Sequence, residues 1–270
     1  MRKTTKIFIG FVIGVFALTL ILYIVARLST EEKDWTIQKL DKETVTIEIP
    51  EAQFIHFKNI KNSDDGKSIY MNGQLVLKQD SLGERKMKIN KELAPPFTKM
   101  KLEGDTLVIS LNADPYISKN HRRYKEYYLG NATIQLPVGS SLHLLNDISG
   151  LNVEAKNLLM DELKIRTIGS IILEENKIGR LYTQIRKNES VYISTKNEIG
   201  AYDLYLKNLK ERSFKLQSNS IDTLNLYGAK SKEEYSVPHQ KIKTLNWYPH
   251  KDSQPLNIQL KDSTTANLTK

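Results

Sequence analysis

The densest group of side chains that could bind a ligand lies between residues 116 and 128, in the sequence YISKNHRRYKEYY. Basic groups in this segment supply charge, and the interleaved tyrosine rings supply amphipathic contact area. This segment could bind an anionic glycan or a lipid headgroup. The residues that we single out for this role are Arg122, Arg123, Tyr124, Lys125 and Tyr127. The alternative, which we favour, is a solvated loop that joins two halves of the chain, with its tyrosine rings covering an edge of the core.

Residues that could support catalysis or hold a cofactor are scattered. The five histidines form no H-E-x-x-H motif, and the chain has no G-x-S-x-G, phosphate-loop or G-x-G-x-x-G sequence. Cysteine is absent, which excludes thiolate nucleophiles and Cys-based zinc sites. The acid pairs are adjacent in sequence, so on a strand they point to opposite faces. We predict a non-enzymatic protein without cofactor or metal. The alternative is a glycan-active enzyme, a polysaccharide lyase or hydrolase, that uses carboxylates on one face of a β-helix.

A three-residue pattern occurs four times in the sequence. Its first residue is Asp, its second is Ser or Thr, and its third is an apolar residue or Thr. These triplets resemble the O-glycosylation signal of one large bacterial phylum. The acceptor hydroxyls would belong to Ser81, Thr106, Thr223 and Ser263. The alternative explanation is turn chemistry, because Asp, Ser and Thr all favour turns.

An uncharged apolar run of 20 residues extends from Ile7 to Ala26. As a helix it would span about 30 Å, the thickness of the hydrocarbon core of a bilayer. Basic residues precede the run and acidic residues follow it, which places the N-terminus in the cytoplasm and the rest of the chain in the periplasm or outside the cell. We therefore predict a cytoplasmic tail at 1–6, an uncleaved single-pass anchor and a linker at 27–43. A cleaved signal peptide is the alternative, but its apolar stretch should be shorter.

The net charge of the chain is +9, and four of these charges flank the apolar run, which leaves about +5 elsewhere. The remaining charges are interspersed as on an ordinary solvated surface, and no nucleic-acid motif accompanies them. We therefore expect no nucleic-acid partner. The expected partners are the membrane and an envelope glycan or another polyanion, and the oligomeric state stays open.

Residues 44–140 alternate between apolar and polar side chains with a period of two, which is typical of strands. The segments with this pattern are TVTIEI (44–49), SIYMNGQLVL (68–77), KMKI (86–89), FTKMKL (97–102), TLVISL (106–111) and TIQLPV (133–138). The sequence Glu103-Gly104-Asp105 between two of these runs predicts a hairpin turn.

Residues 141–262 contain repeats of about 20 residues. Each unit has an Ile before a strand-like run and a second strand about ten residues later. The isoleucines that recur at this position are Ile178, Ile199, Ile221 and Ile242. One such coil cannot bury its apolar side alone, but stacked coils share a core and place asparagines at their corners. We predict that Leu204, Leu224 and Leu245 stack in successive coils. A leucine-rich repeat is the competing architecture. Residues 263–270 are assigned to a polar tail.

The order of the hairpin KMKLEGDTLVISL, a strand ending in LPVG, the segment SSLHLLNDISGLNVEA and a run of short repeats resembles the bacterial putative adhesin family with a GIN-type head domain. The resemblance covers roughly residues 45–260. It implies an exported chain and an all-β fold, namely a single-stranded β-helix or solenoid behind an N-terminal transmembrane helix. The expected function is that of an adhesin-like binding or structural module of a bacterial cell envelope.

Overall fold

The computed structural model describes residues 12, 14–25, 35–59, 68–80, 83–95, 97–111, 126–186, 189–193, 196–207, 209–216, 220–228, 235–251, 256–260 and 265–268. Residues 12 and 14–25 are helical. Residues 7–11, 13 and 26 of the predicted anchor lie outside the described part. Among the described residues, no helix has the length and the apolar character needed to cross a bilayer.

Most of the described chain is β-strand. The first eight strands are β1 (Trp35–Lys39), β2 (Thr44–Glu48), β3 (Phe54–Asn59), β4 (Ser68–Gln79), β5 (Lys86–Asn90), β6 (Thr98–Glu103), β7 (Thr106–Leu111) and β8 (Glu126–Val138). A single 3-10 turn in this part of the described chain spans Lys91–Leu93. The later strands are β9 (Ser141–Asn146), β10 (Leu151–Lys156), β11 (Leu159–Thr167), β12 (Ile171–Glu174), β13 (Lys177–Ile185), β14 (Glu189–Ile193), β15 (Glu198–Tyr205), β16 (Leu209–Leu216), β17 (Ser220–Tyr227), β18 (Tyr235–Tyr248), β19 (Leu256–Leu260) and β20 (Thr265–Leu268).

The strands form two sheets. Sheet A has the order β16-β14-β12-β10-β4-β8-β5-β2, with β1 also paired to β8. Sheet B has the order β19-β18-β17-β15-β13-β11-β9-β3-β7-β6, with β20 also paired to β18. From β9 to β17 successive strands alternate between the sheets, and each of β9 to β15 pairs in parallel with the strand two further along the chain.

The first half of the chain is organised differently from the coils. Strands β2 and β5, β5 and β8, and β6 and β7 are antiparallel, so both sheets are mixed. The prediction of an all-β chain is confirmed, whereas a closed single-stranded solenoid over the whole length is not what the structure contains. Two segments expected to be a linker and a tail include strands, because β1 pairs with β8 and β20 pairs with β18.

The predicted hairpin is confirmed. Strands β6 and β7 pair in antiparallel register around Gly104, whose φ is +59°. Only glycine adopts this backbone without a steric penalty, so the turn residue is the one that the geometry requires.

The stacked rows of the core are confirmed for the isoleucines and corrected for one leucine. Ile178, Ile199, Ile221 and Ile242 lie opposite one another in successive strands of sheet B, and all four are buried. Leu224 pairs with Leu245 as predicted, but Leu204 pairs with Leu226 and belongs to the next inward row. Tyr202 occupies the position predicted for Leu204, because a buried aromatic residue replaces leucine in that coil.

Asparagines pair along the stack at one corner, as the sequence predicted. The buried side chain of Asn176 donates to the carbonyl of Ala155 and to Oδ1 of Asn197, both at 2.9 Å. The residues that precede these asparagines, Glu175 and Lys196, have φ values of 55° and 66°. The chain therefore turns through a left-handed residue, and the following amide satisfies backbone groups that the turn leaves without a strand partner.

Candidate ligand-binding face

Most of the predicted binding segment lies outside the described residues. This applies to Arg122, Arg123, Tyr124 and Lys125. Tyr127 belongs to β8, where its backbone lies opposite residues of β1 and β4. Its neighbour Tyr128 is half-buried and stacks on Tyr70 of β4, with ring centroids 4.9 Å apart and planes inclined by 15°. The tyrosine at the start of β8 thus packs two strands together.

The predicted modification sites fall in different places. Ser81 and Ser263 lie outside the described residues. Thr106 begins β7 directly after the hairpin turn and is partly accessible. Thr223 points outward from the middle of sheet B and is also partly accessible.

The outward side chains of β13, β15, β17, β18 and β20 form a surface that we call the polar face. Because strand side chains alternate, the residues between the buried leucines of these strands lie on the outer side of the sheet and are at least partly accessible, except Asp203, which is 5% exposed. The parallel register aligns them in three rows across the strands. The first row is Arg180, Ala201, Thr223, Thr244 and Thr265, the second is Tyr182, Asp203, Asn225, Asn246 and Asn267, and the third is Gln184, Tyr205, Tyr227 and Tyr248.

The second row is a ladder of side-chain hydrogen bonds. Nδ2 of Asn225 donates to Asp203 at 2.7 Å, Nδ2 of Asn246 donates to Asn225 at 2.7 Å, and Nδ2 of Asn267 donates to Asn246 at 2.9 Å. Arg180 donates to the same aspartate from Nη2 at 3.1 Å. The amides therefore point in one direction along the stack, and the ladder ends on a carboxylate whose charge an arginine balances.

The third row is a stack of aromatic rings. The centroids of Tyr205 and Tyr227 are 4.4 Å apart, and those of Tyr227 and Tyr248 are 4.8 Å apart, with planes within 10° of parallel. Tyr182 lies 5.0 Å from Tyr205 in a tilted arrangement, and the ammonium of Lys164 lies 4.8 Å above its ring. Each ring stacks against the flat side of its neighbour, so the ring edges and hydroxyl groups are what the polar face exposes to solvent.

The hydroxyl groups of Tyr182 and Tyr227 stay protonated at neutral pH. Partial burial, followed by the nearby Asp203 carboxylate, raises the pKa of Tyr227 to about 12. Burial also raises the pKa of Tyr182. A neutral phenol can both donate and accept a hydrogen bond. Apart from the ion pair of Arg180 and Asp203, the polar groups of the three rows are neutral hydroxyl and amide groups.

Two carboxylates, those of Asp203 and Asp147, form ion pairs that join strands of sheet B. Within the three rows of the polar face, Asp203 is the only carboxylate, and Arg180 binds it; on the same strands, Glu198 and Asp222 lie outside the rows and pair with Lys177 and Lys243. Nearer the N-terminal half, Nε2 of His56 lies 2.9 Å from Asp147, which also accepts a hydrogen bond from Arg186. Asp147 follows β9, so this cluster links β3, β9 and the end of β13. Each carboxylate has a structural role in joining neighbouring strands.

The polar face was missed at the level of sequence, although a signal for it exists. The segments TLNLY at 223–227 and TLNWY at 244–248 share Thr, Asn and Tyr at alternate positions, and TAN at 265–267 repeats the first two. Aligning the outward residues of each coil, and not only the inward leucines, would have revealed three matched rows.

No protein-family model matches the chain, and no curated protein matches it. One similar solved structure is a putative adhesin from Parabacteroides merdae, with 9% identity, a TM-score of 0.31, and coverage of 86% of this chain and 98% of that one. Another is a putative lipid binding protein from Parabacteroides distasonis, with 14% identity, a TM-score of 0.33, and coverage of 87% and 100%. Similarity at this level supports no conclusion about the fold family or the function of this chain. Its membership of the adhesin family stays a hypothesis.

Proposed function

We propose that the chain is a non-enzymatic binding module of a bacterial cell envelope, whose stacked coils act as a solenoid that presents the polar face to a neutral glycan. The observation that carries this proposal is the repetition of Thr, Asn and Tyr at matched outward positions of successive coils. Sugars bind through hydroxyl groups that donate and accept, and the threonine, asparagine and tyrosine side chains offer the complementary groups.

The geometry of the rows favours an extended ligand over a compact one. Neighbouring strands lie about 4.8 Å apart, so each row repeats its groups at that interval along the stack. This interval is close to the length of one sugar in an extended chain, and a linear glycan lying along the stack would meet one set of groups per sugar. The coils at 223–227 and 244–248 each provide a complete set, and Thr265 and Asn267 add a third, partial one.

Binding of a neutral oligosaccharide tests the proposal. The full-length chain in detergent micelles is titrated with cello-oligosaccharides of increasing length, and affinity should rise with length up to about three sugars. Tyr248→Ala should weaken binding by about threefold to tenfold, because Tyr248 is 36% exposed at the end of the stack. Tyr192→Ala is the matched control, since Tyr192 is 38% exposed but belongs to β14 of sheet A.

The outcome of the same titration separates the alternatives. Equal binding by the two tyrosine variants would remove the polar face from the proposal. Shortening of the oligosaccharides during incubation would favour the glycan-active enzyme instead, which requires a carboxylate and a proton donor on either side of the scissile bond.

The placement in the envelope is part of the proposal. The apolar run from Ile7 to Ala26 would anchor the chain with its N-terminus in the cytoplasm, as the basic residues before it favour. A phosphatase reporter fused to the C-terminus should then be active only if that terminus is exported. Protease added to spheroplasts should digest the β domain from outside, and a protected domain would contradict the orientation.

A further inference from the structure

One edge of β8 has a gap in its strand pairing, between the part that pairs with β1 and the part that pairs with β5. Strand β1 pairs with residues 126–130 of β8, and β5 pairs only with Ile134 and Gln135. On that side, no strand of the described chain pairs with residues 131–133. The backbone of β8 therefore borders a gap between the end of β1 and the start of its pairing with β5.

The gap is held open by a bulge and a buried amide. Asn131 has a φ of +61°, and the register between β4 and β8 shifts opposite it. A Cβ at Gly73 would lie 2.0 Å from the carbonyl oxygen of Ala132, so the two strands approach as closely as glycine permits. The side chain of Asn90, only 1% exposed, accepts from the amide of Thr133 at 2.6 Å and donates to the carbonyl of Asp41 at 2.6 Å. These contacts fix the gap in the absence of a strand.

The gap opens into a groove of about 830 Å³ on the outer surface of sheet A. Its floor contains Asn152, Gln74 and Thr133, which lie opposite one another on β10, β4 and β8. Its lining also includes Lys39, Lys42, Asn72 and Gln135. Within the described part of the chain, the side-chain amides of Asn72, Gln74 and Gln135 have no internal hydrogen-bond partner. Amides of this kind bordering one groove are available to a ligand.

The charged side chains that line the groove are all positive in the described part of the chain. Its described lining contains Lys39 and Lys42 and no carboxylate. The nearby acids lie outside the lining: Glu43 forms an ion pair with Lys91 at 3.1 Å, and the exposed carboxylate of Asp41 accepts the backbone amide of Lys42 at 2.6 Å. Two exposed ammonium groups beside a set of neutral amides match a ligand that carries an anionic group on a polar, hydroxyl-rich body.

We infer that this groove binds a sugar chain bearing carboxylates, such as a polyuronate, at a site independent of the polar face. The amides contact hydroxyl groups of the sugar, and the two lysines pair with its carboxylates. The absence of a carboxylate from the described lining favours an acidic ligand over a neutral one, because no negative charge in the groove opposes it. Sheet A would then bind an acidic glycan of the cell envelope, while the polar face of sheet B binds a neutral glycan of the same envelope.

The probe is a galacturonate oligosaccharide, and its methyl ester is the neutral control ligand. Lys39→Ala/Lys42→Ala in the full-length chain should weaken binding of the acid by about fivefold to thirtyfold at low salt, because two charge pairs are lost. The matched control is Lys99→Ala/Lys207→Ala, which removes two exposed lysines that do not line the groove. Binding of the acid by the parent should also weaken steeply as the ionic strength rises.

A second variant tests the groove itself. Gln74→Trp places a large side chain at an exposed strand position on the groove floor and should abolish binding of the acid, with an unchanged melting temperature. Equal binding of acid and ester by the parent, no binding of the acid, or equal affinity of the parent and the groove variants would each overturn the inference. Cello-oligosaccharide binding reports on the polar face alone, and the groove variants should retain it.

Discussion

Replacing Asn176 by alanine should destabilise the chain more than replacing an asparagine on its surface. Asn176 is 1% exposed, and its side chain makes three hydrogen bonds: Oδ1 accepts from the amide of Leu158 at 2.9 Å, and Nδ2 donates to the carbonyl of Ala155 and to Asn197, both at 2.9 Å. In Asn176→Ala the amide of Leu158 has no acceptor at a buried position, which costs about 1–3 kcal/mol. The other two bonds contribute about 0.5–1.5 kcal/mol each, so the free energy of unfolding should fall by about 2–6 kcal/mol.

The matched control is Asn246→Ala on the polar face. Asn246 also loses two side-chain hydrogen bonds, to Asn225 at 2.7 Å and to Asn267 at 2.9 Å. Its own site and those of both partners are at least partly open to solvent, so water can replace the lost partners and the cost should be about 1 kcal/mol.

Urea unfolding followed by circular dichroism measures both variants, and unchanged m-values would show that the unfolded states are comparable. The stability of most domains is about 5–15 kcal/mol, so the loss expected for Asn176→Ala is a large part of the total. If both variants lost the same free energy, or if Asn176→Ala lost less than about 0.5 kcal/mol, the corner amides would not stabilise the coils in the way that we describe.

Further predictions concern the core, the pH dependence and the surface. In a double-mutant cycle, Leu224→Ala and Leu245→Ala should couple by about 0.5–3 kcal/mol, whereas Leu204→Ala and Leu245→Ala should be additive within about 0.5 kcal/mol; equal coupling would restore the register predicted from sequence. Burial raises the pKa of Tyr202, so stability present below about pH 10 should decrease as the pH rises further. Urea melts at pH 8 and pH 11 should show a smaller decrease for Tyr202→Phe, and an identical decrease would contradict this assignment. Peptide mass spectrometry of protein from its native host should detect a glycan on Thr223 if the triplet is a modification signal, and only unmodified peptide would exclude it.

Local patterns predicted the elements that depend on local residues. The alternation in TLVISL, the glycine of the β6–β7 turn and the repeated isoleucines all gave the correct strands, because period and turn chemistry are properties of neighbouring residues. The register of Leu204 was wrong by two positions. Alignment by leucine could not detect that Tyr202 fills the same inward row with a larger side chain.

The groove on sheet A could not be predicted in this way. It depends on the meeting of Asn90, Asn131 and Gly73, which lie on three strands and are distant in the sequence. Each of these residues by itself indicates only a turn or a bulge. The polar face was more accessible, since its rows repeat within single strands, but the outward residues had been treated as an ordinary solvated surface.

The matched corners of the coils have a consequence for how such a gene could change. The corner isoleucines recur after 21, 22 and 21 residues, and each coil meets its neighbours through backbone bonds and equivalent rows. Duplication of a DNA segment that encodes one such period would insert a coil whose two sides fit the existing neighbours. The polar face would lengthen by about 4.8 Å with each event. Homologous chains are therefore expected to differ in length by whole periods, and shorter insertions should be confined to the connections between strands.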